Sequence, residues 1–164
     1  MTNATIVTNY GDIVIEFFDE ITNTVKNFVE LAESGFYDGT TFHRCIPRFV
    51  AQGGDPNSRT GQGIVGTGGP GYRIHCETEK NANKPEQRHV RGVISMAHGG
   101  RDTGGSQFFL VRQPQPHLDG QHTVFGKIIK GIELIDKLQD GDKMNQVIIK
   151  DKSLLIKNHQ LIKI

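Results

Sequence analysis

The sequence has no tryptophan, only two cysteines and no run of apolar residues long enough to span a membrane. Cys45 and Cys76 are too few to form a disulfide framework. The first residues, MTNATIVTNYG, have neither the basic start nor the apolar core of a signal peptide. We therefore expect a protein of the reducing cytoplasm with no membrane partner.

The chain also lacks an excess of charge of either sign. Nineteen Lys and Arg residues oppose 18 Asp and Glu residues, which gives a net charge of +1. A nucleic-acid-binding barrel would need a basic groove with stacking aromatic residues. A chain that is close to neutral has no strong positive electrostatic potential to attract nucleic acid. We expect no nucleic-acid partner. A chain of 164 residues is most simply one domain, covering 1–164.

Glycine is abundant, with 20 residues, roughly twice ordinary usage, and it separates short runs with a period of two. Examples are DIVIEFF, GVISMA, GSQFFLV and HTVFGKII. Only residues 22–35, which Thr22 or Asn23 can cap, and residues 132–138 have helical spacing. The pattern predicts a mainly β protein, and we favour a closed antiparallel barrel plugged by two helices over a sandwich.

Several motifs of known chemistry are present only in part. Gly61, Gly63 and Gly66 match a dinucleotide-binding pattern, but glycines and a proline follow them where that site needs a helix. Ser106 lacks the sequence context of a nucleophile elbow. Cys45 stands two residues from His43, so a thiolate pair is conceivable, although an inert cysteine is the more common case.

The histidines do not have the spacing of a metal site. His98, His117 and His122 lie in the second half of the chain without the helix, cysteine pair or carboxylate cluster that such a site uses. We expect no resident metal and no cofactor, with adventitious binding of Zn or Cu left open.

Arg44 is the residue that bulk properties do not explain, because it stands in the mostly apolar run FHRCIPRFVAQGGD without an acid in the same strand. A guanidinium stays charged, so it must face water, meet a distant carboxylate or wait for a substrate. Aromatic and aliphatic residues of the second half, including Phe109 and Leu118, are most simply core residues. The residues alone therefore predict a β barrel with a possible peptide groove.

Three long motifs carry a resemblance to a known family. FHRCIPRFVAQGGD, GVISMAHGGRDTGGSQFFL and HLDGQHTVFGK follow one another as in the cyclophilins, which are peptidyl-prolyl cis-trans isomerases. The resemblance covers nearly the whole chain. It implies an eight-stranded antiparallel barrel with a helix over each open end. It also implies an external groove for proline-containing peptides and for unfolded or partly folded proteins. The alternative is a proline-peptide binding or chaperone module with little turnover.

The resemblance also implies roles for individual residues. Arg44 would be the catalytic arginine, and Gln52 would hold its guanidinium in place. The remaining positions would form the proline pocket and its edge (Phe49, Val50, Phe109, Leu118 and His122) and would bind the substrate backbone and the residue before proline (Ala97, His98 and Gln107).

At two of these positions, Val50 and His98, and at a further substrate-binding position, His117, this sequence departs from the family pattern. His117 stands where many members have the tryptophan that contacts cyclosporin, so we expect weak binding of such macrocycles. Val50 replaces a common methionine, which leaves the preference for the residue before proline open. His98 replaces an asparagine, and with His117 and His122 it suggests activity that responds to pH or metal ions. We expect a monomer.

Overall fold

The computed structural model describes residues 1–164, and its main feature is one antiparallel sheet of nine strands. The strands are β1 (Asn3–Thr8), β2 (Gly11–Phe17), β3 (Thr41–Cys45), β4 (Val50–Gly53), β5 (Val93–Met96), β6 (Phe108–Val111), β7 (Val124–Lys130), β8 (Asp142–Lys143) and β9 (Gln146–Lys150). Their order across the sheet is β8-β3-β4-β6-β5-β7-β2-β1-β9. The prediction of a mainly β protein is confirmed.

The sheet curls around its core but is not closed by a strand ladder. The outermost strands, β8 and β9, are joined through Met144 and Asn145 and do not pair with each other. The N–H groups of these two connecting residues donate to Thr40 O (2.8 Å) and Val7 O (2.8 Å). The expected closed barrel of eight strands is therefore not confirmed, and the sheet is better described as a curled half-barrel of nine strands.

The core lies in the concave side of this sheet and contains 32 buried apolar residues. Alternate residues point into it, because successive side chains of a strand face opposite sides. On β2, for example, Ile13, Ile15 and Phe17 are fully buried. The ring of Phe28, from the first helix, lies 5.3 Å from that of Phe17 and 5.4 Å from that of Phe108. This helix therefore closes one side of the core, as its apolar stripe predicts.

The first helix, α1 (Thr22–Glu33), confirms the helical spacing of the sequence, but its start is capped differently. Neither Thr22 nor Asn23 caps it; Ile21 takes the N-cap position without a side-chain hydrogen bond. The buried Glu77 instead accepts the N–H and the hydroxyl of Thr24, each at 2.7 Å. A carboxylate from a distant segment thus binds the free N–H end of the helix, where negative charge is stabilised.

The other helical segments are short. The predicted helix at 132–138 is instead a 3-10 helix over Ile132–Asp136, because so few residues give an α-helix little cooperative stability. The sequence did not predict α2 (Asn57–Thr60), α3 (Thr78–Asn81) or α4 (Leu154–Asn158), nor the 3-10 turns Pro85–Gln87 and Pro116–Leu118.

The residues after β9 have a strand-like pattern of apolar and polar residues, but they do not continue the sheet. Ser153 caps α4 by accepting the N–H of Ile156 at 3.3 Å, so the chain turns into a helix there. No helix of the structure has the length and apolarity needed to cross a membrane.

Candidate active site

A groove of about 670 Å³ runs along the outer side of β3, β4 and β6 and continues past the end of β5. Its walls include ten of the eleven residues that the sequence assigned to a site. They are Arg44, Phe49, Val50, Gln52, Ala97, His98, Gln107, Phe109, Leu118 and His122. The structure thus gathers residues that are up to 78 positions apart in the chain, from 44 to 122, around one cavity.

Arg44 is held at the groove by a hydrogen bond from a neighbouring strand. Arg44 on β3 is the cross-strand partner of Gln52 on β4, so the two side chains emerge on the same face. Arg44 Nη1 donates to Gln52 Oε1 at 3.5 Å. Arg44 makes no ion pair, and no Asp or Glu lines the groove. The guanidinium therefore keeps most of its donors free for a ligand.

A second amide fixes the orientation of Gln52. Gln52 Nε2 donates to Gln107 Oε1 at 3.1 Å, and Gln107 Nε2 donates to the carbonyl oxygens of Gly66 and Gly68, each at 3.0 Å. Because both carbonyls can only accept, the amide nitrogen of Gln107 must face them and its oxygen must face Gln52. Gln52 in turn presents its oxygen to Arg44.

The loop that supplies these two carbonyls is anchored by Asp55, a fully buried residue that the sequence analysis did not single out. Its carboxylate accepts the N–H groups of Asn57 (2.8 Å), Gly68 (3.2 Å) and Gly66. A Cβ atom at position 68 would collide with this carboxylate, which explains the glycine there. The only signal in the sequence is that Asp55 ends the motif containing Arg44.

The apolar part of the groove is formed by Phe49, Phe109 and Leu118. Phe109 is 4% exposed and Val50 2% exposed, so Val50 supports the wall from below more than it offers surface. His117 is the one assigned residue that does not line the groove. It is exposed, and its ring stacks on that of Phe49 with centroids 6.1 Å apart.

Two histidine rings stack at the edge of the groove. The centroids of His98 and His122 lie 4.1 Å apart at an interplanar angle of 13°. Gly100 N–H donates to Nδ1 of His98, so the hydrogen of that ring lies on Nε2, 2.7 Å from Gln121 O. Nδ1 of His122 donates to Met96 O at 2.8 Å.

The protonation of His122 is shifted by its surroundings. Burial lowers the pKa of His122 to about 4, with smaller contributions from the neighbouring histidines, so its ring is neutral near pH 7. No group of three or more His, Cys, Asp or Glu side chains is placed to hold a metal ion.

The nucleophiles considered from sequence are not activated. Burial raises the pKa of the Cys45 thiol to about 11, and its Sγ lies 3.8 Å from the carbonyl oxygen of Phe42. The pKa of His43 is lowered, mainly by burial, so this ring is a poor source of positive charge for a thiolate. Ser106 is 1% exposed and donates to Gly54 O at 2.8 Å. Neither Cys45 nor Ser106 therefore provides a nucleophile for acyl transfer.

Comparison with known proteins identifies the family. The family model described as cyclophilin type peptidyl-prolyl cis-trans isomerase/CLD matches residues 3–159. A peptidyl-prolyl cis-trans isomerase of Helicobacter pylori is 54% identical over 148 residues, which cover 88% of this chain and 85% of the relative. The chain belongs to the cyclophilin family of peptidyl-prolyl cis-trans isomerases.

Other cyclophilins support the same assignment. Peptidyl-prolyl cis-trans isomerase B of Bacillus subtilis is 56% identical over 124 residues, covering 76% of this chain and 80% of that protein. A crystal structure of a Cryptosporidium parvum cyclophilin superimposes with a TM-score of 0.76 at 32% identity, covering 93% of this chain and 99% of that one. A second structure of that protein, with a TM-score of 0.75, was determined in the presence of the dipeptide Ala-Pro.

Proposed function

We propose that this groove binds an X-Pro peptide and that Arg44 accelerates rotation about the bond before proline. The observation that carries the proposal is an unpaired guanidinium, oriented by Gln52, at the edge of an apolar pocket formed by Phe49, Phe109 and Leu118. The barrier to overcome is the resonance of the amide, about 18 to 20 kcal/mol, so the uncatalysed change takes tens of seconds or longer.

No covalent bond has to break in this reaction. As the peptide twists, the prolyl nitrogen loses conjugation and gains a lone pair that neither planar form has. An N–H group of Arg44 aimed at this nitrogen binds the twisted state more strongly than the planar states. Only such a difference in binding accelerates a step. Gln52 contributes by holding the guanidinium in place before substrate arrives.

The apolar pocket contributes through solvent exclusion. A planar amide is more dipolar than a twisted one, so loss of water raises the free energy of the ground state more than that of the transition state. Phe109 and Phe49 provide the dry surface against which the proline ring would pack. Each contribution of about 1.4 kcal/mol corresponds to a factor of ten in rate.

Backbone groups at the groove wall would bind the residues before proline. The N–H of Ala97 already donates to Gln107 O at 3.0 Å. The carbonyl of Ala97 and the N–H of His98 have no partner within the protein, so they remain to pair with an extended peptide. The side chain of Gln107 is used to orient Gln52, so we assign it a positioning role in addition to substrate contact.

The substrates of this chain are then proline-containing peptides and exposed X-Pro bonds of unfolded or partly folded proteins. The presence of Ala-Pro with the related Cryptosporidium protein supports a small proline dipeptide as a first ligand. We further propose that residues 1–164 act as one domain, as a monomer in the cytoplasm, and that cyclosporin-type macrocycles bind weakly because His117 replaces a tryptophan.

The experiment is exchange NMR on a short Ala-Pro peptide with the native protein, Arg44→Ala and a matched control, Arg48→Ala. Arg48 is exposed, four residues away, and does not line the groove. We expect Arg44→Ala to lower the rate on the order of a hundredfold, and the control to be unchanged. Native protein that shifts the peptide resonances without faster exchange would be a proline-peptide binder and not an isomerase.

A further inference from the structure

A Ser-His-Asp cluster, buried except for its partly exposed aspartate, lies directly behind the apolar pocket, and the mechanism above does not use it. Nδ1 of His89 lies 2.8 Å from Asp119 Oδ1, and Nε2 of His89 lies 2.8 Å from Ser95 Oγ. The three side chains are arranged as in a hydrolase triad. Ser95 is 0% exposed and His89 2% exposed, so no substrate carbonyl can reach the serine. The cluster must act through the residues around it.

The hydrogen-bond partners define the protonation of His89. A carboxylate only accepts, so Nδ1 carries a hydrogen, and the backbone N–H of the same residue donates to the same oxygen at 2.7 Å. Burial lowers the pKa of His89 and outweighs the opposite effect of Asp119, which leaves the ring neutral near pH 7. Nε2 of a neutral ring must then accept the hydroxyl hydrogen of Ser95, although Thr123 O also lies 3.2 Å from that oxygen.

His89 contacts one wall of the pocket through its ring. Its imidazole stacks against the ring of Phe109, with centroids 5.9 Å apart at 24°. Ser95 on β5 is the cross-strand partner of Phe109 on β6. The phenyl ring is therefore supported from behind by His89, and its free side faces the groove.

His89 also holds the opposite wall. Asp119 directly follows Leu118, which lines the groove, and receives both the ring and the backbone hydrogen of His89. The carbonyl of His89 accepts the N–H of Gln115 at 2.8 Å, at the start of the turn Pro116–Leu118. One imidazole and its own peptide groups thus link both apolar walls.

We propose that His89 is a positioning residue of the proline pocket, which sets the separation of Phe109 and Leu118 through ring contact on one side and Asp119 on the other. This inference rests on the proposed isomerase function. A pocket of altered width binds planar and twisted proline equally less well, so its signature is a higher KM at nearly constant kcat. Loss of Arg44 affects kcat instead, because that side chain acts on the twisted state.

Two substitutions separate the two contacts. His89→Asn keeps a donor near the place of Nδ1 for Asp119 but removes the ring under Phe109, whereas His89→Phe keeps a ring and removes the donor. We expect each to raise KM for an Ala-Pro peptide about fivefold or more, the effect of one lost contact. We expect kcat to stay within about twofold. The matched control is His75→Asn, an exposed histidine 3.7 Å from Asp102, outside the groove, which should change neither constant.

The inference is overturned if both variants are folded and keep the native KM, or if kcat falls while KM holds. A measurement on the native protein covers the case in which neither variant folds. The ¹⁵N spectrum of the His89 ring should show a hydrogen on Nδ1 only. Saturation with Ala-Pro dipeptide should shift the ¹⁵N resonances of this ring. A different tautomer, or no shift when the dipeptide is bound, also overturns it. If the native protein neither binds the dipeptide nor accelerates exchange, the proposed function itself fails.

Discussion

The side-chain amide of Gln52 donates to the side-chain oxygen of Gln107 over 3.1 Å, and this one contact sets the direction of a chain of hydrogen bonds. On one side, Gln107 gives both amide hydrogens to the carbonyls of Gly66 and Gly68. On the other, Gln52 is left with its oxygen toward Arg44. The orientation of the Arg44 guanidinium is therefore set, through Gln52 and Gln107, by the loop that contains Gly66 and Gly68.

Gln107→Leu tests this chain. Without Gln107, nothing holds the nitrogen of Gln52 away from Arg44, and a rotated amide would turn a donor toward the guanidinium. We expect kcat to fall about tenfold, in keeping with the loss of one oriented hydrogen bond to a charged group. Turnover of an Ala-Pro peptide by exchange NMR measures this. Gln160→Leu, at an exposed glutamine outside the groove, is the matched control. An unchanged kcat in Gln107→Leu would show that Arg44 does not depend on this chain.

The sequence predicted some of these features and not others, for identifiable reasons. The period of two in DIVIEFF and the stripe of α1 predict the strand and the helix that the structure contains, because both patterns report burial on one face. Arg44 and Gln52 are adjacent across two strands of one hairpin, so a motif in the sequence contains both. Such local relationships are visible before the fold is known.

Contacts between distant segments were not predictable in this way. Glu77 caps α1 from 53 residues away, and Asp55 reaches Gly66 and Gly68 across an irregular loop. Neither contact follows from periodicity, since the path of a glycine-rich loop is set by tertiary hydrogen bonds. The alternating pattern of a strand also does not show which strands pair. It therefore could not reveal that β8 and β9, at the two edges of the sheet, are joined by Met144 and Asn145 without pairing, and a closed barrel was expected.

Asp55→Ala tests the anchor of the glycine-rich loop. The substitution leaves the N–H groups of Asn57, Gly66 and Gly68 without their acceptor in a site where the carboxylate is fully buried. We expect a loss of about 2 to 4 kcal/mol in the free energy of unfolding, measured by urea denaturation. Asp55→Asn retains one acceptor oxygen and should lose less. Equal stability of Asp55→Ala and the native protein would contradict the anchoring role.

His122 makes the stability of the fold depend on pH in a defined direction. The pKa of this residue is lowered from 6.5 to about 4 in the folded protein, mainly by burial. Between these values the unfolded chain binds a proton at this position and the folded chain does not, so the free energy of unfolding decreases as the pH falls from 6.5 toward 4.

The comparison is between the native protein and His122→Asn, whose amide can still donate to Met96 O. Urea denaturation at several pH values gives the free energy of unfolding of each protein. Below pH 6.5 this free energy should depend less steeply on pH in the variant than in the native protein. Above about pH 7.5 this imidazole is neutral in both states, so the two curves should run parallel there. Parallel curves over the whole range would mean that His122 is protonated as readily in the folded protein as in the unfolded chain.

His117 should decide how strongly this cyclophilin binds cyclosporin-type macrocycles. The residue is exposed, stacks on Phe49 with ring centroids 6.1 Å apart, and lies outside the groove wall. An imidazole offers less apolar surface than an indole, so His117→Trp should strengthen inhibition about tenfold or more. Turnover of an Ala-Pro peptide without inhibitor should stay within about twofold, because the added ring would lie outside the proposed proline pocket. The control is His75→Trp, which adds the same indole at an exposed histidine away from the groove and should leave inhibition unchanged. Nanomolar inhibition of the native protein would contradict this prediction, because it would show that the macrocycle binds tightly without an indole at position 117.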